Sequence, residues 1–174
     1  METQAAGTRD TSSLLRIYLN DHLSGATGGV ELLRRSARSH RSSSIGTELA
    51  RLAAEVAADR ETLLRLMAQL GVPPQRAKVA LGWMGEKAGR LKFNGRVASR
   101  SPLSDVLELE VMRLGVEGKA SCWRTLRALA ESDDRLDAGQ LDGLLDRAKE
   151  QAAALEAMRT SVAADVLGGG RARN

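Results

Sequence analysis

Apolar residues recur along this chain at intervals of three and four in four separate stretches, the spacing that gathers side chains on one face of a helix. The cleanest stripe reads Leu49, Leu52, Val56, Asp59, Leu63, Leu66 and Leu70, with one aspartate among six aliphatic residues. An earlier stripe reads Leu15, Leu19, His22, Ala26, Gly29 and Leu33, again with one polar member. A third stretch carries Leu107, Leu109, Val111, Met112, Leu114, Val116, Trp123, Leu126 and Leu129. The last carries Leu141, Leu145, Ala148, Ala152, Leu155, Met158, Val162 and Val166.

Capping and breaking residues set the predicted ends. Ser12 and Ser13 are good N-caps for a helix over about 13–38. The polar run 39–46 makes a turn, and a second helix covers 47–70, stopped by Gly71 ahead of Val72-Pro73-Pro74. The Ser104-Asp105 pair caps a third helix over 104–131, and a polar turn leads into a fourth over 140–167. Residues 1–11 and 168–174 are expected to be disordered ends. Short turns within each pair predict two antiparallel hairpins. The stretch 72–103 is long enough to run the length of the bundle between helices two and three. The expected fold is therefore an all-α four-helix bundle with a long crossover, the ferritin-like topology, with an up-down bundle carrying a bulky surface loop as the alternative. Gly25, Gly28 and Gly29 predict a close approach of a neighbouring helix, with a local kink as the alternative.

Composition narrows this picture. At 174 residues the chain makes one domain with a core. Only 2% of residues are aromatic, which leaves Leu, Val, Ala and Met to build that core, and three prolines leave room for long helices. Cys122 is the only cysteine, so no intrachain disulfide and no cysteine-based zinc site is expected. No signal sequence or membrane-spanning run is apparent, so a cytoplasmic location is expected. The abundance of Ala, Arg and Gly points to a GC-rich bacterial genome.

The net charge of +4 is unevenly spread. Residues 72–103 hold seven bases against Glu86 alone, a net +6, so the rest of the chain carries −2. Arg76, Lys78, Lys87, Arg90, Lys92 and Arg96, interleaved with Trp83 and Phe93, form a candidate surface for nucleic acid or an anionic membrane. A solvated crossover packed through Val79, Leu81 and Trp83 is the favoured reading.

The helix lengths, the crossover and the segment YLNDHLSGATGGVELLRR (18–35) resemble the ferritin-like superfamily, in particular its small bacterial members of unassigned function. Di-iron members of that superfamily use a Glu on each of two helices and Glu-x-x-His on each of the others. This chain has only His22 and His40 and no Glu-x-x-His, so the resemblance implies the fold without the iron chemistry.

His22 and Asp59 interrupt apolar stripes, and their places in the first hairpin differ by four residues, about 6 Å along the axis. The favoured expectation is a buried His22–Asp59 hydrogen bond that fixes the register of that hairpin. The weaker one is a remnant transition-metal site at His22, Glu55 and Asp59, with Glu48 at its edge. Glu110 and Glu117 share a face with Arg113 and Arg124 and read as solvated, with Arg113 and Glu117 spaced as an ion pair. Cys122 reads as a buried, inert thiol. No catalytic residue, cofactor or reaction is indicated. The chain is expected to be a non-enzymatic bundle that acts by self-association, as a homodimer, or by interaction with another protein.

Overall fold

The computed structural model describes the backbone of residues 2–75 and 102–168 and the side chains of 13–75 and 103–168. Four helices account for nearly all of it: α1 (Glu2–Ser39), α2 (Ser44–Gln69), α3 (Pro102–Leu129) and α4 (Ala138–Leu167). The four predicted elements are present, with shifted ends. α1 starts at Glu2, ahead of the expected start at 13, and Ser12 and Ser13 do not interrupt it. Nothing in that lead-in bars a helix, because it contains no proline. α2 starts at Ser44, before Thr47, because Ser43 takes the cap: its backbone is extended (φ −131°) and its Oγ accepts from the Gly46 N–H at 3.4 Å. Asp137 does the same for α4, its Oδ1 accepting from the Gln140 N–H at 3.0 Å.

The stop after α2 forms as the sequence predicts. Gly71 adopts φ +71°, the left-handed conformation that a glycine reaches without penalty. The Val72 N–H then donates to the Met67 carbonyl at 2.8 Å and the Gly71 N–H to the Ala68 carbonyl at 3.1 Å, a Schellman closure. Val72 and Met67 are both buried, which supplies the hydrophobic contact of that motif.

Side-chain pairs fix how the helices lie. Arg60 on α2 donates to Thr27 on α1 at 2.9 Å, and Arg127 and Arg113 on α3 reach Asp142 and Glu156 on α4 at 3.0 and 3.3 Å. Between α3 and α4 the residue number rises on one helix as it falls on the other, and the short turn 40–43 folds α2 back along α1, so both hairpins are antiparallel. α1 and α3 are also antiparallel neighbours. Tyr18 meets Thr125 at 3.0 Å at one end, while Arg35 meets Glu108 at 3.8 Å and His40 meets Asp105 at 3.3 Å at the other. Asp59 and Glu55 on α2 meet Arg147 and Gln151 on α4 with the same reversal. The order around the bundle is therefore α1, α2, α4, α3, with α2 and α3 parallel across the diagonal.

That arrangement separates the end of α2 from the start of α3 by the bundle's length, about 40 Å for helices of this size. A connection between them has to return that distance, as the length of the 72–103 stretch predicts. Its first residues are pinned: buried Asn20 on α1 accepts from the Gln75 N–H at 2.6 Å and donates to the Pro73 carbonyl at 3.3 Å.

The core is aliphatic, centred on Leu19, Leu49, Leu52, Leu66, Met67, Leu126, Leu141 and Leu155 around the fully buried Trp123. The expectation for the α1 glycines does not hold at Gly25 and Gly29. A Cβ added at either would meet nothing within 4 Å, so no neighbour approaches closely there, and α1 runs unbroken through both. No helix among the described residues is long and apolar enough to cross a membrane.

Candidate functional site

The polar centre of the bundle is built around Asp59, which faces α3 and α4. Arg147 donates to its Oδ1 at 2.8 Å, and Lys119 donates to its Oδ2 at 2.5 Å. Gln151 Nε2 lies 3.3 Å from the same Oδ2 and 3.2 Å from Glu55 Oε2, and Lys119 also donates to Gln151 Oε1. Asp59 and Gln151 are each 1% exposed. Burial pulls the Lys119 ammonium below lysine's ordinary value, and the neighbouring Asp59 carboxylate opposes that pull.

His22 is not part of this cluster, which corrects the expected His22–Asp59 bond. Arg60 lies beside Thr27, so Asp59 is about level with Gly28 on α1 and His22 sits more than a turn away. Asp59 also points away from α1, toward the second hairpin. His22 instead packs edge-on against Tyr18 with ring centroids 4.5 Å apart, and burial lowers its pKa against the raising influence of Asp21.

The candidate metal set is not assembled. Glu55 and Asp59 do come together, one turn apart, but Gln151, Lys119 and Arg147 occupy the space between and beside them. A cation bound there would have to displace an ammonium and a guanidinium. Glu48 and Glu55 are half-buried and share Arg51, whose Nε donates to Glu48 Oε2 at 3.0 Å and whose Nη1 donates to Glu55 Oε1, while Glu55 Oε2 turns to Gln151. No group of three or more His, Cys, Asp or Glu among the described residues is placed to hold a metal ion. The described residues around Asp59 do not fit a di-iron centre. With both carboxylate oxygens saturated by donors, Asp59 is also unsuited to act as a base. Its effect is mechanical: it ties α2 to α3 and α4, and α2 and α4 otherwise approach each other least of all the neighbouring pairs.

Glu110 and Glu117 lie on the outside, as expected, but with different partners. Arg113 pairs with Glu156 at 3.3 Å, Glu110 with Arg159 at 3.7 Å, and Glu117 with Arg124 at 3.9 Å. Cys122 is 1% exposed, and burial pushes its thiol up to about 12, in line with an inert cysteine. Arg76, Lys78, Lys87, Arg90, Lys92 and Arg96 lie outside the described residues.

Two surface features stand out among the described residues. Leu14 and Leu129 sit one turn beyond the Tyr18–Thr125 contact on antiparallel helices, so they are level with each other. With Ile17 they form an apolar patch at one end of the α1–α3 face, where Leu14, Leu129 and Ile17 are 60%, 37% and 51% exposed. On the opposite side, between α2 and α4, lies a groove of about 620 Å³ with arginines on both walls. No model of a known protein family matches the chain, and no curated protein or solved structure matches it either.

Proposed function

We propose that this chain is a non-enzymatic, ferritin-like bundle in the cytoplasm that acts by associating with a second copy of itself through the α1–α3 face. The observation that carries the reading is the patch of Leu14, Ile17 and Leu129, set on a bundle whose polar centre is closed by its own cations. Isolated exposed aliphatic residues are ordinary, but three large ones side by side on adjoining helices are a surface that water disfavours. A patch of aliphatic groups is complementary to itself, which is what a two-fold interface requires. Its surroundings carry both signs of charge. Asp21 is exposed on α1, one turn past Ile17 and with no ion pair among the described residues, and Arg124 is exposed on α3. Opposed copies can therefore pair acid with base around an apolar centre.

The test is a double charge substitution, Leu14→Glu with Ile17→Glu. Both side chains are exposed, so the fold is expected to survive with unchanged helical content. Association stabilises the folded chain by mass action, so Tm of the native protein should rise with protein concentration. The variant should show a Tm independent of concentration. An equal concentration dependence in both proteins would contradict the reading.

A further inference from the structure

We propose that the groove between α2 and α4 is a binding site for a small phosphate-bearing molecule. It lies on the side of the bundle opposite the α1–α3 patch and is independent of association. Ala58, Thr62 and Arg65 form one wall, and Gly139, Gly143 and Arg147 the other. Its volume, about 620 Å³, is in the ordinary range for small-molecule sites. The groove exists because the glycines on α4 supply no side chain to fill it: a Cβ at Gly143 would meet nothing within 4 Å.

The charges facing into it are unbalanced. Arg147 is anchored by Asp59 at 2.8 Å, yet its side chain remains 45% exposed, so the fork is held in place while donors stay available. Asp59 is shared between Arg147 and Lys119, so two cations bear on one buried carboxylate there. On the facing wall, Arg65 donates only to Thr62 Oγ1 at 2.7 Å, and no carboxylate of the described residues pairs with it. Thr62 already donates to the Ala58 carbonyl at 3.0 Å, so it serves to orient Arg65. Glu61, the only carboxylate of the lining, is held by Arg60 at 2.5 Å. The N-terminus of α4 opens on the same groove at Gly139 and Gln140 and adds partial positive charge, offset by its cap Asp137.

Guanidinium forks on two walls select for a phosphate over a carboxylate. A planar carboxylate satisfies one fork in the bidentate manner, whereas a tetrahedral dianion offers oxygens to both. Ala58 and buried Leu144 line the groove and give the organic part of the ligand an apolar surface.

Calorimetric titration with inorganic pyrophosphate, at fixed ionic strength, tests the site in the full-length protein. Arg65 is exposed and hydrogen-bonds only to Thr62 among the described residues, so Arg65→Gln removes a ligand contact with little structural cost. Removing a charge-assisted bond of this kind is expected to weaken binding roughly tenfold or more, with Arg65→Lys intermediate. Citrate is expected to bind the native protein at least about tenfold more weakly than pyrophosphate. Pyrophosphate affinity unchanged by Arg65→Gln would overturn the proposal, because binding would then lie elsewhere on the chain. Citrate binding as tightly as pyrophosphate would overturn the assignment to phosphate.

Discussion

Asp59 can be buried only because donors from two other helices converge on it. Its 0% exposed side chain faces Lys119, itself 10% exposed, and Arg147. Taking the carboxylate away leaves a buried ammonium with only the more distant Glu55 as counter-charge, and Gln151 loses one of its acceptors. Breaking a buried pair from one side costs about 3–5 kcal/mol, so Asp59→Ala is expected to lower the unfolding free energy by that amount in urea titrations. A loss under about 1 kcal/mol, the worth of a surface pair, would show that the cluster is solvated. Most of this cluster is legible in the sequence. Lys119 continues the run Met112, Val116, Lys119, Trp123, Leu126, and Gln151 continues Leu144, Ala148, Gln151, Leu155, both at helical spacing. Arg147 is not legible, because it lies beside its helix's stripe and reaches Asp59 only through the length of its side chain. The His22–Asp59 expectation compares positions along the helix axes but not the side of α2 on which Asp59 lies. His22 has its own signature. Its folded pKa lies below the ordinary 6.5, so the unfolded chain takes up this proton first as pH falls. Stability linked to His22 is full above about 6.5 and is lost as pH drops below it. His22→Phe keeps a ring against Tyr18 and should flatten that part of the stability curve; an identical pH dependence in the variant would refute the assignment.

At the level of the helices, stops are more legible than starts. The sequence Gly71-Val72-Pro73-Pro74 combines a residue free to turn left-handed with two that cannot continue a helix, and α2 ends there. The start of α1 lies well ahead of Ser12 and Ser13 because a good cap residue does not oblige a helix to begin. The path of the chain just past α2 depends on a contact 53–55 residues away in sequence, which no local pattern reveals: Asn20 bonds Pro73 and Gln75. Asn20→Ala is expected to cost about 1–3 kcal/mol, the penalty for stranding part-buried backbone groups. Backbone amide exchange should report the same change locally, with Gln75 losing protection while the middle of α2 keeps its own. Retained protection at Gln75 would show that other contacts hold the turn.

Taken as a whole molecule, the chain presents two unlike faces on opposite sides of one core. The α1–α3 face is knit by Tyr18–Thr125 at one end and by the Arg35 and His40 ion pairs at the other, with its apolar patch beyond Tyr18. The α2–α4 face is held chiefly through Asp59 and leaves a basic groove open beside it. The order of the helices is legible in advance, since short turns make hairpins and a long connection allows the second to be placed parallel across the diagonal. The distinction between the faces is not, because it depends on which side chains remain outside once the helices have packed. The claim that the α1–α3 face associates is tested most directly by the mass of the native chain in solution, measured by light scattering over a dilution series. Association through this face predicts twice 18.6 kDa at high concentration, falling toward 18.6 kDa on dilution, and 18.6 kDa throughout for the Leu14→Glu, Ile17→Glu variant. A native mass of 18.6 kDa at every concentration would contradict it.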